Sequence, residues 1–272
     1  MNTDIFICPV CRSPLLSDGK TYKCEKNHSF DISREGYVNL LRSSRAGVHG
    51  DNKEMIAARC RFLSSGHYSF MCDELAFTAS EHFCDGGLFI DCGCGECYYT
   101  ERVSEALLAR YPDARCCGID VSRDALKRGA KRKGELSLCV SSVYDMPFGD
   151  GCADLLISVF SPFAREEFLR VLKKGGTLIS VIPDKKHLWS LKAALYETPY
   201  ENTLDEYEID GFEFLGKKEV KNELHLKKEE IADLFMMTPY YYRTRAEDKK
   251  KILDREQMTT EAEFQILVYK KK

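Results

Sequence analysis

The sequence predicts a doubly wound α/β domain with a small metal-binding module in front of it. In the first forty residues, three cysteines and a histidine stand in the pattern C-x2-C-x12-C-x3-H. Further on, the apolar run 88–92 leads into a Gly-x-Gly turn, a helical pattern and a second short strand that ends in an acid. Strand and helix signals that alternate in this way indicate a mostly parallel sheet with helices on both faces.

The composition limits what the chain can do. Its 272 residues suffice for one large domain, or for a large and a small one. With 40 Lys+Arg against 43 Asp+Glu the formal net charge is −3, so any nucleic-acid contact must use a local basic patch. We find neither an apolar run of about 18 residues nor a signal peptide, and we expect a cytoplasmic protein without membrane contact. Its 13 cysteines are then expected to be buried apolar residues or metal ligands.

The cysteine and histidine pattern predicts a zinc site. Three thiolates and one imidazole suit tetrahedral zinc, and four protein ligands leave no open position, so the ion is expected to be structural. A turn signal at Asp18-Gly19 predicts a β-hairpin with one ligand pair on each side. The alternatives are four unrelated residues or a redox C-x-x-C, which would need a βαβ context that is absent here. The predicted ligands are Cys8, Cys11, Cys24 and His28.

The chain divides into three predicted parts. Residues 1–41 form the metal-binding module, called the zinc ribbon below, and residues 85–272 form the large domain. Between them, residues 42–84 hold a small, polar, glycine-containing run that indicates a mobile linker. Two helices follow it, one from about Lys53 to Ser65 and one from about Ser69 to Phe83, by the spacing of their apolar residues.

The Gly-x-Gly turn predicts a nucleotide-type cofactor. Gly93 and Gly95 let the backbone approach a ligand, and the helix that follows offers free N–H groups. A dinucleotide fingerprint would need a third glycine where Tyr98 stands, which argues against nicotinamide. The segment Asp91 to Gly95 instead resembles the first motif of class I S-adenosylmethionine (AdoMet)-dependent methyltransferases. The resemblance implies that the turn lies under the amino-acid end of AdoMet and that Asp120 bonds both ribose hydroxyls.

Downstream segments continue this pattern. Residues 138–148 resemble the adenine-side loop of the superfamily, with Ser142 where many members carry an aspartate, so a hydroxyl or the backbone would contact the adenine. The apolar run 154–160 predicts a buried strand, with Ser161, Pro162 and Phe163 at the carboxyl end where the methyl acceptor is expected. A helix is predicted to end at residues 173–176, and residues 263–269 to form an antiparallel edge strand.

The zinc ribbon joined to this core is similar to the RlmA-type large-subunit ribosomal RNA guanine-N1 methyltransferases, which include the tylosin-resistance branch. The resemblance covers essentially the whole chain. The specific pieces are Cys8-Pro9-x-Cys11, residues 35–41, Gly66-His67-Tyr68, residues 91–100 and Met237-Thr238-Pro239.

The resemblance implies transfer of a methyl group from AdoMet to N1 of a guanine, in a hairpin of 23S ribosomal RNA near the peptide exit tunnel. It also implies a structural Zn2+, and a homodimer whose two ribbons flank an RNA-sized cleft. The implied lining of the AdoMet pocket is Tyr68, Gly95, Glu96, Lys186 and His187. Cys97 departs from the family turn because it stands at the third-glycine place, where its side chain is expected to crowd the cofactor.

Several roles stay open. No general base for the guanine N1 proton can be named. Either Phe160 or Phe163 could stack on the base or belong to the core, and Asp145 is interpreted as a helix cap rather than a catalytic helper. His187 is expected to line the pocket, whereas His49, His67 and His225 are expected to be structural.

Four basic clusters could contact RNA, or could be solvated surface. They are Lys127, Arg128, Lys131, Arg132 and Lys133; Lys217, Lys218 and Lys221; Arg243, Arg245 and residues 249–251 beside Tyr240–Tyr242; and Arg12, Lys20, Lys23 and Lys26 of the ribbon. The alternative functions are a small-molecule AdoMet methyltransferase with an accessory zinc module, and a non-enzymatic RNA binder with a decayed core. The intact Asp91, Gly93, Gly95 and Asp120 argue against the decayed core.

Overall fold

The computed structural model describes residues 5–42, 52–132, 134–204 and 206–272. The ribbon begins with three short antiparallel strands, β1 (Leu16–Ser17), β2 (Thr21–Lys23) and β3 (Ser29–Asp31). Asp18 closes the β1–β2 turn, since its Oδ1 accepts from the N–H groups of Lys20 at 2.9 Å and Thr21 at 2.7 Å. The predicted hairpin is therefore confirmed.

The ribbon ends in a strand that belongs to the large domain. This strand, β4 (Tyr37–Asn39), pairs in parallel with β7 (defined below) along Tyr37–Leu138, Val38–Cys139 and Asn39–Val140. The two predicted helices follow as α1 (Lys53–Ser64) and α2 (Ser69–Glu81). Asn52 caps α1 by accepting from the N–H of Met55 at 2.9 Å. The predicted linker falls almost entirely outside the described residues, and the domain boundary at residue 41 stays a prediction.

The large domain alternates strands and helices and ends in a long hairpin. Its elements are β5 (Leu88–Cys92), α3 (Tyr98–Arg110), β6 (Arg115–Asp120), α4 (Arg123–Gly129), β7 (Leu136–Val140), β8 (Ala153–Val159), α5 (Arg165–Val171), β9 (Leu172–Pro183), α6 (Trp189–Leu195), β10 (Phe212–Lys227), α7 (Lys228–Met236), α8 (Pro239–Arg243), α9 (Ala246–Leu253) and β11 (Gln257–Lys271).

One eight-stranded sheet, in the order β10-β11-β9-β8-β5-β6-β7-β4, organises the domain. The six strands β4 to β9 are parallel to one another. β11 pairs antiparallel with β9, and β10 pairs antiparallel with β11. Alternate residues of β5 show the two apolar layers: Phe89 packs with α2 and α3 residues on one face, and Ile90 packs with α5 and ribbon residues on the other. The doubly wound α/β prediction is confirmed.

Two boundary predictions are wrong. Residues 263–269 lie in β11, which is not an edge strand, because β10 pairs along nearly its whole length. The helix predicted to reach residues 173–176 ends at Val171, and β9 begins at Leu172. Lys173 lies in the strand and pairs with Asp154 at 2.8 Å. Across the part of the chain that the structure describes, every helix is too short or too polar to cross a membrane.

Candidate active site

The four predicted zinc ligands converge in the ribbon. Their ligand atoms all lie within 4.8 Å of one another. The Sγ atoms of Cys11 and Cys24 are 3.6 Å apart, and Nδ1 of His28 is 3.5 Å from Cys8 Sγ and 3.3 Å from Cys24 Sγ. A tetrahedral zinc ion with ordinary bond lengths would set S–S at about 3.8 Å and S–N at about 3.5 Å. The donor set and its spacing therefore fit structural zinc.

Two tight turns bring the ligand pairs together. Arg12, directly after Cys11, has φ +62°, and Asn27, directly before His28, has φ +61°. The N–H of Arg12 donates to the Cys8 carbonyl at 2.8 Å, and that of Asn27 donates to the Cys24 carbonyl at 2.9 Å. Each turn folds the chain back so that its two ligands face one point.

The Gly-x-Gly turn meets Asp120 and Ser161 at the carboxyl edge of β5, β6 and β8. Gly93 has φ +89°, and a Cβ there would come within 2.2 Å of Ser161 Oγ. The Gly95 N–H donates to Asp120 Oδ2 at 2.9 Å, and the Ser122 N–H donates to Oδ1 at 2.8 Å. The turn is thus fixed by Asp120, the acid that the family resemblance implies for the ribose.

Asp91 is buried directly behind this turn. Thr100 Oγ1 donates to its Oδ2 at 2.6 Å, while Oδ1 has no hydrogen-bond partner among the described residues. Burial raises the pKa of Asp91 to about 7. The hydrogen bond from Thr100 lowers this pKa, and the charge of Asp120 raises it by a smaller amount. The carboxyl group is therefore partly protonated at neutral pH. Sequence reasoning missed Thr100, one helical turn into α3.

Cys97 is accommodated by a glycine of α4. Its φ is +64°, and its side chain is fully buried. A Cβ built on Gly129 would lie 2.5 Å from Cys97 Sγ, so the sulfur occupies the space that Gly129 leaves empty. The cysteine at the third-glycine place thus packs against a helix, and its predicted crowding of the cofactor stays a prediction.

Glu96 is tied to the same end of α4. Its buried carboxylate pairs with Arg132, which also pairs with Glu101 at 2.7 Å. Burial raises the pKa of Glu96, and the charge of Arg132 opposes that rise. Glu96 Oε1 lacks a hydrogen-bond partner within the described ranges, so one oxygen of the predicted pocket residue is left for another donor.

The predicted adenine-side loop forms a short turn. Ser142 is buried, its Oγ accepts from the N–H of Tyr144 at 3.2 Å, and its carbonyl accepts from the N–H of Asp145 at 3.1 Å. Asp145 caps no helix, since residues 141–152 contain none, and the helix-cap interpretation is wrong. Its Oδ1 lies 3.6 Å from Nη1 of Arg12 in the ribbon.

The structure separates the two candidate stacking residues after β8. Phe163 is partly buried and packs on Phe168 at 5.3 Å and Phe212 at 6.4 Å between ring centroids. Phe160 is 47% exposed and has φ +53°, a costly conformation for an aromatic residue. Phe163 is therefore core, and Phe160 is the aromatic side chain presented next to Ser161.

Phe264 of β11, which the sequence did not single out, links the remaining pocket predictions. Its ring centroid lies 4.6 Å from His187, 4.9 Å from Tyr68 and 5.5 Å from Phe160. Burial lowers the pKa of His187 to about 3. Because the His187 Nδ1 accepts from the N–H of Glu263 at 3.2 Å, the neutral ring carries its proton on Nε2. Lys186 is exposed on the preceding turn.

Ion pairs occupy much of the predicted basic surface. Lys217, Lys218 and Lys221 pair with Glu219, Glu74 and Asp184 respectively, so this cluster is an ion-pair network at the sheet edge.

The other basic clusters are only partly paired. Lys127 lies 3.3 Å from Glu35, but it also lines a groove between α1 and α4 with Lys53, Arg128 and Lys131. Lys249 Nζ lies 3.8 Å from the ring centroid of Tyr241. Lys133 and His49 fall outside the described residues. His67 lies 3.0 Å from Glu230, and His225 is 3.3 Å from Glu223.

Comparison with known proteins agrees with this geometry. Residues 6–44 match the family model of the RlmA N-terminal zinc ribbon, and residues 90–180 match a methyltransferase domain model. The chain is 35% identical over 239 residues to the 23S rRNA (guanine(748)-N(1))-methyltransferase of Streptomyces fradiae. The alignment covers 85% of this chain and 84% of that protein. It is 34% identical, over 73% of each chain, to a candidate 23S rRNA (guanine-N(1)-)-methyltransferase of Bacillus subtilis.

Among solved structures, the YcgJ protein of Bacillus subtilis superposes with a TM-score of 0.49 at 14% identity, over 73% of this chain and 97% of that one. That likeness is too low to add to the assignment, which depends on the full-length relatives and the ribbon family. The chain belongs to the RlmA-type family of AdoMet-dependent 23S rRNA (guanine-N1)-methyltransferases.

Proposed function

We propose that this chain methylates N1 of a guanine in a hairpin of 23S ribosomal RNA, with AdoMet as the donor and a structural zinc ion in the ribbon. The observation that carries the proposal is the meeting of Gly93, Gly95, Asp120 and Ser161 at one sheet edge, next to a Cys3His ribbon. Relatives named as 23S rRNA guanine-N1 methyltransferases over most of their length support the same substrate.

The residues present suit AdoMet. Asp120 stands at the carboxyl end of β6 and accepts from the N–H groups of Gly95 and Ser122. Its carboxylate therefore lies at the Gly-x-Gly turn, where we assign it to the ribose hydroxyls. A Cβ at Gly93 would fill the space at the turn, and the buried Ser142 is placed to meet the adenine. The remaining predicted lining is Tyr68, Asp91, Glu96, Lys186 and His187, of which His187 offers an Nε2–H donor.

On the acceptor side, we assign the base-stacking role to Phe160 rather than Phe163. Stacking on an exposed aromatic ring fixes the plane of a nucleobase, and the left-handed backbone of Phe160 sets that ring next to Ser161. Ser161 and Pro162 then form the rim that holds the base edge. Bound AdoMet supplies an electrophilic methyl group, and the protein's contribution is to hold guanine N1 in line with it at near-attack distance.

The RNA contacts are assigned to the ribbon, where Lys20, Lys23 and Lys26 are exposed. A homodimer with two ribbons around one cleft, and a cytoplasmic location with the ribosome, complete the proposal. The guanine that is modified is expected to lie in the hairpin near the peptide exit tunnel.

The test is methylation of 23S rRNA from cells that lack the gene, using purified protein and labelled AdoMet. We expect label in the RNA, and reverse transcription that stops at a single guanine, because an N1 methyl group blocks Watson–Crick pairing. Mass mapping of that fragment identifies the base. Label that enters a metabolite pool and not the RNA would support the small-molecule methyltransferase instead.

A further inference from the structure

The loop of residues 141–148, which the proposed function places at the adenine, is held between the ribbon and the core. On the ribbon side, the Ile7 N–H donates to the Pro147 carbonyl at 2.8 Å, directly before the zinc ligand Cys8. The ring of Phe6 packs on Phe148 with centroids 5.5 Å apart. The segment that carries the first zinc ligand therefore contacts this loop.

A second contact comes from the turn that closes the first ligand pair. Arg12 donates to the Met146 carbonyl at 3.4 Å, and its guanidinium lies 3.6 Å from Asp145. Its left-handed backbone, fixed by the bond to the Cys8 carbonyl, sets the direction of this side chain. The position of Arg12 thus depends on the fold of the metal-binding turn.

The core also holds residues 146–148 of this loop, from the other side. Arg170 donates to the carbonyls of Met146 at 3.0 Å and Phe148 at 2.8 Å, and Glu167 accepts from the Met146 N–H at 2.7 Å. These contacts fix residues 146–148. At the turn from Ser142 to Asp145, Arg12 reaches in from the ribbon by way of the Asp145 carboxylate, and the buried side chain of Val143 belongs to the apolar core on this face of the sheet.

We propose that the zinc ribbon positions the adenine-side loop, so that zinc loading and AdoMet affinity are thermodynamically linked, with Arg12 as the positioning residue. The inference rests on the proposed function, which sets Ser142 at the adenine. An ordered ribbon holds Asp145 and Pro147, and these hold the turn in the shape that receives the cofactor. Because linkage is reciprocal, AdoMet should also raise the affinity of the ribbon for zinc.

The strength of each contact between the ribbon and the loop determines how much AdoMet affinity should fall when that contact is lost. Arg12 and Asp145 are partly exposed, at 42% and 28% of their side chains, and an ion pair of this kind changes an equilibrium by about two- to fivefold. Loss of zinc also releases the contacts of Ile7 and Phe6, so stripped protein should bind AdoMet roughly tenfold more weakly or worse.

Isothermal titration calorimetry of the full chain with AdoMet tests this directly. The proteins are the zinc-loaded parental chain, Arg12→Ala, Asp145→Asn, the double variant, and Arg34→Ala, which removes another exposed charge of the ribbon. The parental chain is also measured after zinc removal with a chelator. Fluorescence of the single tryptophan, Trp189 in α6, reports whether the core stays folded.

We expect weaker AdoMet binding for Arg12→Ala and Asp145→Asn, no further loss in the double variant, and parental AdoMet binding for Arg34→Ala. A parental AdoMet affinity in zinc-loaded Arg12→Ala and in stripped protein with a folded core would overturn the linkage and leave the proposed function intact. A parental chain that binds no AdoMet would overturn both. If stripping unfolds the core, the zinc-loaded variants decide the outcome.

Discussion

Gly93 lies so close to Ser161 that a Cβ on the glycine would come within 2.2 Å of the serine Oγ and 2.7 Å of its Cβ. The glycine also has φ +89°, where a side chain is strained. We therefore expect Gly93→Ala to push the turn away from β8 and to weaken AdoMet binding by about tenfold or more. The free energy of unfolding should fall by about 1–3 kcal/mol. Calorimetry and urea unfolding measure the two effects.

Gly149 is the matched control for that substitution, because it has no positive φ and an alanine Cβ there would meet no atom within 4 Å. Gly149→Ala should leave both quantities at parental values. Parental AdoMet affinity in Gly93→Ala would show that the cofactor does not use this turn.

Asp91 gives a pH prediction with a definite sign. Burial raises its pKa to about 7 in the folded protein from an ordinary value of 3.8. Between those values the folded protein holds a proton that the unfolded chain has released, so the stabilisation is full below about pH 4 and is lost as the pH rises through 7. Compared with Asp91→Asn, which cannot ionise, the parental chain should lose roughly 2–4 kcal/mol between pH 4 and 8.

Urea unfolding of the two proteins over this pH range measures the difference, and because both carry the same ribbon, the release of zinc at acid pH affects them equally. Asp113→Asn, at an exposed site, should follow the parental curve. Parallel curves for the parental chain and Asp91→Asn would show that Asp91 is ionised in the fold.

Cys97 and Gly129 predict a pair of substitutions whose effects on stability are not additive. In the parental chain Gly129→Ala places a methyl group 2.5 Å from Cys97 Sγ and should destabilise the protein. After Cys97→Gly the sulfur is gone and the nearest remaining atom is the backbone carbonyl carbon of Glu96 at 3.3 Å, so the same Gly129→Ala should cost much less, about 1 kcal/mol or below. A double-mutant cycle by thermal unfolding measures this; additive effects would mean that the two residues do not share this space.

Phe160 and Phe163 predict opposite phenotypes. Phe160→Ala should lower kcat/KM for RNA by roughly 5- to 100-fold through lost base stacking, with AdoMet affinity and stability near parental values. Phe163→Ala should instead lower stability by about 2–4 kcal/mol, because the ring packs on Phe168 and Phe212. Methylation kinetics and thermal unfolding of both variants decide the assignment, and equal kinetics for Phe160→Ala and the parental chain would remove the stacking role.

Much of the site could be predicted because local spacing encodes it. The C-x2-C and C-x3-H turns depend on a few adjacent residues, and the Gly-x-Gly turn and Asp120 follow from strand and helix boundaries. The sequence could not choose between Phe160 and Phe163, since the burial of Phe163 depends in part on Phe212 of β10, which is distant in the chain. It also left Lys217, Lys218 and Lys221 open between RNA contact and solvated surface, because two of their partners, Glu74 and Asp184, lie far away in the chain.

The outer strands were missed for a similar reason. Three-residue β4 has too little periodicity to be recognised, and it forms only because β7 offers a parallel partner. The polar alternation of β10 is typical of a strand with one exposed face, but its pairing with β11 crosses the 29 residues between Lys227 and Gln257.

The eighth strand also has a consequence for dissecting the protein. Cutting the chain between Asn39 and α1 would take β4 from β7 and leave a row of backbone amides and carbonyls of β7 uncovered. Bare edges of this kind recruit strands from other molecules and seed aggregates. The ribbon therefore also protects the edge of the sheet. A large domain produced without it should aggregate and not remain soluble as an independent domain.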